Sequence, residues 1–356
     1  MNIRTGAAAE HRSRKLEHIE ISLNCDTGFA GTTTGLEKYR LIHQALPEID
    51  LDAIDLSVRF LGEILSAPVL ISSMVGGIDE AGRINRNLAA AAQHHGVAMG
   101  VGSQRCAIDD PGCAESFMVR DVAPDIYLCA NIGAVQLNYG YGAEECKRAV
   151  EMIDADALIL HLNPLQEALQ PGGNTRFSGL LKKIETICRT IRVPVIAKEV
   201  CFGISETAAR DLANAGIRCI DVAGAGGTSW SEVERRRAIN KSDKSVAQAF
   251  ASWGIPTAES VLMARSGAPE LPVIASGGIR TGIDAAKAIA LGADIAGIGM
   301  PLFRAACESA ESAIESLGIV IETLRRAMFC AGASCVHELN QSKLFITGEE
   351  RACQQK

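Results

Sequence analysis

Long apolar runs are missing from this chain of 356 residues, and none approaches the ~18 that a membrane-crossing helix requires. The opening stretch, Met1 to Ser13, carries charge but no apolar segment, so it does not read as a secretory signal. A cytoplasmic protein with no membrane partner is the expectation. Aromatic residues are scarce at 4%, and 35 Lys+Arg are outnumbered by 42 Asp+Glu, a formal charge of −7. That balance argues against a nucleic-acid partner, which needs a basic face. Metal or redox cysteine spacing is absent too. Twelve cysteines are present, but no two form CxxC and none stands at zinc-ligand spacing beside a histidine. Several, such as Cys129 in IYLCANIG and Cys219 in IRCIDV, lie inside apolar runs, where a thiol behaves as a small hydrophobe. They read as reduced, structural thiols.

What the chain does have is 47% hydrophobic residues against 22% charged, enough to bury a sizeable core. Short apolar, β-branched runs recur, each followed by a stretch of helical period. They are Val69–Ser72, Val97–Gly100, Tyr127–Asn131, Ala157–His161, Pro194–Glu199, Cys219–Val222, Val273–Ser276 and Ile295–Ile298. Runs without alternation are what a parallel sheet buried on both faces requires. Eight such units predict a TIM-type (β/α)8 barrel in the α/β class. A faint repeat agrees: Pro194-Val195-Ile196-Ala197 returns as Pro272-Val273-Ile274-Ala275, and Ala208-Ala209 as Ala285-Ala286, at nearly constant offset.

Three segments fall outside the units. Residues 1–55 form an N-terminal extension with a basic arm and a Gly/Thr loop from Gly28 to Gly35. The barrel occupies 56–330, with a long loop after the sixth strand that carries the basic run Arg235-Arg236-Arg237, read as a solvated face. C-terminal helices follow, and residues 331–356 read as a polar tail.

Barrel active sites lie at the C-terminal ends of the strands, so the residues just after each run are the candidates. Glycines after strands seven and eight (Gly277, Gly278, Gly297, Gly299) allow backbone amides and a helix N-terminus to approach a phosphate. Lys198 ends a buried strand and reads as a cation over an anionic cofactor or intermediate, with a Schiff-base lysine as the alternative; the amides Asn131 and Gln166 suit a flat heterocycle better. The strand-four loop, His161-x-Asn163-x-x-Gln166-Glu167, has a single carboxylate. One carboxylate cannot form a paired acid/base, but it can hold a Mg2+ otherwise coordinated by water and substrate phosphates. Arg14, Lys15, His18 and Arg105 become meaningful if the substrate carries a diphosphate. The pair His94-His95, ending an expected helix, reads as compensation of its C-terminal dipole.

Taken in order, these motifs resemble the type 2, FMN-dependent isopentenyl-diphosphate isomerases over roughly residues 12–330. The resemblance rests on R-K-x-x-H (Arg14, Lys15, His18), S-x-M-x-G-G (Ser72–Gly77), G-S-Q-R (Gly102–Arg105), A-N-I-G (Ala130–Gly133) and H-x-N-x-x-Q-E with Q-P-G-G (His161–Gly173). It continues through K-E-V-x-F-G-I-S (Lys198–Ser205), D-V-A-G-x-G-G-T (Asp221–Thr228) and the S-G-G-I-R that ends at Arg280.

The resemblance implies a set of roles. Arg14, Lys15, His18, Ser103, Gln104, Arg105, Asn163 and Gln166 would contact the substrate, and Glu167 would bind Mg2+. Ser73, Met74, Val75, Ser103, Asn131, Lys198, Thr228, Gly277, Gly278, Arg280 and Gly299 would hold FMN. His161, Gln166 and Lys198 would act catalytically, by tuning the flavin and excluding water. Reduced FMN would serve as acid/base in converting isopentenyl to dimethylallyl diphosphate, with NAD(P)H as its reductant, in a homo-tetramer or octamer. Two departures stand out. Val75 replaces a common Thr, and Ala223 stands where a Ser is usual, each removing a hydroxyl near the flavin. An FMN-dependent 2-hydroxy acid oxidase or dehydrogenase is the alternative, but its strand-six His-Arg pair is missing from Ala223–Trp230.

Overall fold

Strands apolar on both faces need a closed sheet with helices around it, and that is what the chain builds. A computed structural model describes residues 3–347, with side chains from residue 14 onward; the rest of the tail, with Cys353, lies outside the described residues. The extension comprises helix α1 (Ile3–Asn24) and the short strand β1 (Tyr39–Leu41). A hairpin of β2 (Val58–Phe60) and β3 (Glu63–Leu65) leads into the barrel.

The barrel strands are β4 (Val69–Ile71), β5 (Ala98–Gly100), β6 (Leu128–Gly133), β7 (Ala157–Leu162), β8 (Val195–Glu199), β9 (Cys219–Asp221), β10 (Val273–Ala275) and β11 (Ile295–Ile298). Each pairs in parallel with the next, and β11 pairs back with β4 through Ala296↔Val69 and Ile298↔Ile71, which closes the cylinder. All eight expected runs are strands, with ends shifted by a residue or two.

Helices α2 (Asp79–His95), α4 (Ala143–Met152), α6 (Leu180–Thr190), α7 (Glu206–Asn214), α10 (Thr257–Gly267), α11 (Gly282–Ala290) and α12 (Met300–Glu308) cover the outside. Two short helices, α3 (Arg105–Asp109) and α5 (Pro164–Leu169), interrupt the loops after β5 and β7. The long loop after β9 holds α8 (Trp230–Arg237) and α9 (Lys241–Ala249). Beyond the barrel, α13 (Ala310–Ala331) packs on α2, α11 and α12. The segment expected as a polar tail also makes a strand, β12 (Leu344–Ile346), antiparallel to β1.

Period-two alternation sorts the strand residues. Leu158, Leu160, Val195, Ala197 and Ile220 face the helices, while Leu70, Ala98, Cys129, Ile159, Ile196, Cys219, Ile274 and Ile295 fill the barrel. The hairpin plugs the N-terminal end: Phe60 is fully buried, its ring edge-on to Tyr127 at 5.6 Å. With one end stoppered, the barrel opens at its C-terminal mouth. The eleven cysteines among the described residues are free thiols, as their apolar settings implied.

Candidate active site at the barrel mouth

Two residues beyond the inner core, the same alternation brings one more ring of side chains inward: Ser72, Gly100, Asn131, His161, Lys198, Asp221, Ser276 and Gly297. Strand register puts His161 beside Lys198 and Lys198 beside Asp221. All of this ring but Gly100 and Asp221 floors a cavity of about 930 Å³ at the C-terminal end of the strands, roofed by α1.

Lys198 has the partner that burial demands. Its Nζ lies 3.2 Å from Asp221 Oδ2 and donates to Glu199 O at 3.0 Å, while Ser276 Oγ donates to Asp221 Oδ1 at 2.5 Å. Neither Asp221 nor Ser276 was foreseen, although counting two residues on from each core position finds both. Next to Lys198, Glu199 Oε2 accepts the amides of Val200, Cys201 and Phe202 at 2.5–2.7 Å. Burial raises its pKa to about 7 against those bonds and Lys198. Its task is to fold the loop after β8.

One pole of the cavity is made of glycine. Gly277 and Gly278 adopt φ of 100° and 78°, and a Cβ on either would run into the backbone of Gly224 or Gly226. The loops after β9 and β10 therefore touch backbone to backbone, braced by Thr34 from the Gly/Thr loop of the extension. Beside them α12 starts at Met300 behind Gly299, which has no side chain to cap it, so the first-turn amides other than that of Pro301, which has none, face an anion. Arg280 leans over this loop, toward the carbonyls of Gly278 and Gly226. Ala223 holds a strained φ of 38° where β9 gives way to the glycines.

The opposite pole is basic. Arg14, Lys15 and His18 line the cavity from α1, facing Arg105 and the loop after β7. Burial lowers the pKa of Arg14 and Lys15, and neighbouring Arg237 and Arg105 lower that of Arg14 further. An anion would reverse that penalty. Glu167, buried, accepts Asn163 Nδ2 at 3.1 Å and the Asn174 amide at 2.5 Å. Asn174 Oδ1 in turn accepts Arg105 Nη1 at 3.2 Å and Gln136 Nε2 at 3.0 Å. Asn163 Nδ2 also reaches Gln166 Oε1 at 3.2 Å, whereas Asn163 Oδ1 is buried and unsatisfied.

His161 sits between the poles. Asn131 Nδ2 donates to Val101 O at 3.1 Å, so Asn131 Oδ1, 2.8 Å from His161 Nδ1, is the acceptor. The ring is thus protonated at Nδ1 and offers Nε2 as an acceptor. Burial, with Lys15 and Lys198 nearby, pushes its pKa down to about 3, so it is neutral at physiological pH.

Of the residues expected in the site, Ser73, Met74, Val75, Ser103, Asn131, Lys198, Thr228, Gly277, Gly278, Arg280 and Gly299 all line this cavity. So do Arg14, Lys15, His18, Arg105, His161, Asn163, Gln166 and Glu167. Gln104 is the exception. It is fully buried behind the wall, donating to Ala149 O and accepting the Asn131 amide, both at 2.8 Å. It braces Asn131 and does not line the cavity.

Two further readings need correction. Arg237 is not on a solvated face: it pairs with Glu17 at 3.0 Å and Glu234 at 2.6 Å, pinning α1 to α8. His95 does not serve the helix dipole, since its Nε2 bonds Ile314 O on α13 at 2.9 Å and burial lowers its pKa. Trp230 and Glu234 were missed. Trp230 lines the cavity edge-on to His18. Glu234 holds His18 Nε2 at 3.1 Å; burial would raise its pKa, but His18 and Arg237 together keep it below the usual value.

The chain is similar to known proteins over most of its length. A family model for FMN-dependent dehydrogenases matches residues 166–346. The chain is 54% identical over 339 residues to an isopentenyl-diphosphate delta-isomerase of Nostoc sp., covering 95% of this chain and 97% of that one. It is 50% identical to its namesake in Stutzerimonas stutzeri, covering 93% and 96%. Among solved structures, a flavocytochrome b2 variant with pyruvate bound superposes with a TM-score of 0.67 at 16% identity, covering 93% and 83%. A mandelate oxidase variant carrying an FMN adduct gives 0.61 at 18%, covering 93% and 98%. At such low identity these two speak for the barrel alone.

Proposed function

The chain belongs to the isopentenyl-diphosphate delta-isomerases, enzymes on the FMN-dependent dehydrogenase fold, and from that premise we propose how its cavity works. Isopentenyl and dimethylallyl diphosphate are isomers, so the reaction adds a proton at C4 and removes one from C2 with no net redox change. Reduced FMN supplies, when bound, a proton donor and acceptor at N5.

The donor set fits that cofactor. Ser72 Oγ and Ser73 Oγ are buried without partners on the cavity wall, where a heterocycle's polar edge would satisfy them. Met74, Asn131, Thr228 and Lys198 surround the same space, and the Gly277–Arg280 loop with the start of α12 would take the phosphate. Mg2+ fits the other pole: the Glu167 carboxylate and the unsatisfied Asn163 Oδ1 are hard oxygen donors on two residues joined by a hydrogen bond. No cluster of three His, Cys, Asp or Glu exists among the described residues, so substrate oxygens and water would complete its shell.

Arg14, Lys15 and Arg105 would bind the diphosphate and fix the hydrocarbon against the floor. Neutral His161 accepts through Nε2 and has no proton to give there. α1 and Trp230 close the space against water. NAD(P)H is the proposed source of the reduced state, needed once and not at each turnover.

One observation carries this reading: the protein groups that could exchange the proton are committed elsewhere. Of the two carboxylates that line the cavity, Glu167 is held by Asn174 and Asn163 and Asp26 accepts the Gly28 amide at 2.9 Å; Glu199 and Glu234, outside the lining, are held by three amides and by His18 with Arg237. Acid/base chemistry is left to the cofactor. The test is to purify the protein with its flavin and, anaerobically, offer isopentenyl diphosphate to the reduced form and a 2-hydroxy acid to the oxidised form. The reduced form should turn isopentenyl diphosphate into its isomer, and the oxidised form should not be bleached by the hydroxy acid; flavin reduction by the hydroxy acid with no isomer from the first would return the chain to hydroxy-acid chemistry.

A further inference from the structure

Asp221 belongs to the floor ring yet has no part in binding substrate or metal. It is wholly buried inside the barrel, where a carboxylate persists only with strong compensation. The compensation is specific. Strand pairing sets Asp221 directly opposite Lys198, Oδ2 lies 3.2 Å from Nζ, and Oδ1 takes the Ser276 hydroxyl at 2.5 Å. Lys198 Nζ also lies 3.4 Å from Ser276 Oγ, so the three side chains form one cluster. Lys198 and Ser276 reach the cavity, while Asp221 lies beneath them.

Burial demands one partner for Lys198, but a carboxylate that is itself held by a serine hydroxyl is more than charge balance alone requires. Building a buried carboxylate under the lysine does two things: it fixes the ammonium in one place, and it cancels part of its field. We propose that Asp221 is a positioning residue that, with Ser276, holds the Lys198 ammonium beneath the flavin and sets how much positive charge the flavin feels. This rests on the FMN reading above. Reduced flavin is more anionic than oxidised flavin, so a stronger cation at this point favours the reduced form.

The test is the midpoint potential of bound FMN, measured by dye equilibration on the purified holoprotein, with flavin content recorded alongside. Asp221→Asn keeps the shape and removes the charge, so reduction should become at least tenfold more favourable, a rise of about 30 mV for a two-electron couple. Ser276→Ala removes a donor from the carboxylate and leaves more negative charge on Lys198, so the potential should move the opposite way. Lys198→Met removes the cation itself and should lower the potential, opposite in sign to Asp221→Asn. A merely structural Asp221 would not produce opposite signs.

A fall in potential for Asp221→Asn, or a change under twofold, overturns the proposal while a yellow wild type leaves the flavin reading intact. If Asp221→Asn fails to fold, Ser276→Ala decides: a lowered potential supports the proposal and an unchanged one overturns it. A wild-type protein that binds no FMN would sink the flavin reading, and this proposal with it.

Discussion

Removing the guanidinium of Arg105 should weaken substrate binding and spare the fold. Its side chain is 37% exposed, with Nε 3.7 Å from Asp109 Oδ2, and Nη1 donates to Asn174 Oδ1 at 3.2 Å. Contacts of that kind contribute at most ~1 kcal/mol to folding. In a chain this long, Arg105→Ala should therefore lower Tm by no more than about 4 °C. A charge-assisted hydrogen bond to the diphosphate is worth about 1.5–3 kcal/mol. At ~1.4 kcal/mol per factor of ten, kcat/KM should drop roughly 10- to 150-fold. The loss should fall mainly on KM, because the diphosphate is held alike in ground and transition states. Arg105→Lys keeps the charge but not the planar fork and should lie between. Steady-state isomerisation by the reduced enzyme, with a melting curve on each variant, measures both quantities. A kcat/KM within threefold of wild type would refute the reasoning, and so would a Tm fall large enough to explain the loss.

Glu167→Gln should raise the Mg2+ concentration needed for half-maximal rate about tenfold or more with FMN content unchanged; lost FMN at unchanged Mg2+ dependence would make Glu167 a cofactor support. His161 gives a pH prediction. Its folded pKa, about 3, lies below the unfolded value near 6.5, so the unfolded chain binds a proton first as pH falls and stability is lost from about 6.5 downward. Urea midpoints of wild type and His161→Gln should thus converge in acid, and parallel curves from pH 7 to 4 would contradict the assignment. Phe60→Ala, at the barrel plug, should cost about 3–5 kcal/mol in urea unfolding with KM unchanged; a loss under ~1 kcal/mol would mean the hairpin is not a stopper.

The strands were legible because a parallel strand buried on both faces is an apolar run and little else, and the site followed because barrel ligands sit where those runs stop. Asp221 and Ser276 were equally available to anyone counting alternate residues from Cys219 and Ile274. Gln104 was not. It stands between Ser103 and Arg105, which line the cavity, and only the turn into α3 sends its side chain toward Ala149 instead. Arg237 misled for another reason: its partner Glu17 is 220 residues away, and a run of three arginines carries no mark of that distance. The β1–β12 pair, which joins opposite ends of the chain, is hidden in the same way.

On the proposed reading, the bound flavin would donate and accept protons and spend no electrons. Reducing the bound FMN once with dithionite under anaerobic conditions, omitting NAD(P)H, and counting dimethylallyl diphosphate per flavin tests it directly. Many products per flavin are expected, with the oxidised enzyme inactive because its N5 carries no proton. Product capped at one per flavin would contradict the account, and so, in a parallel assay supplied with NAD(P)H, would consumption of NAD(P)H in step with turnover.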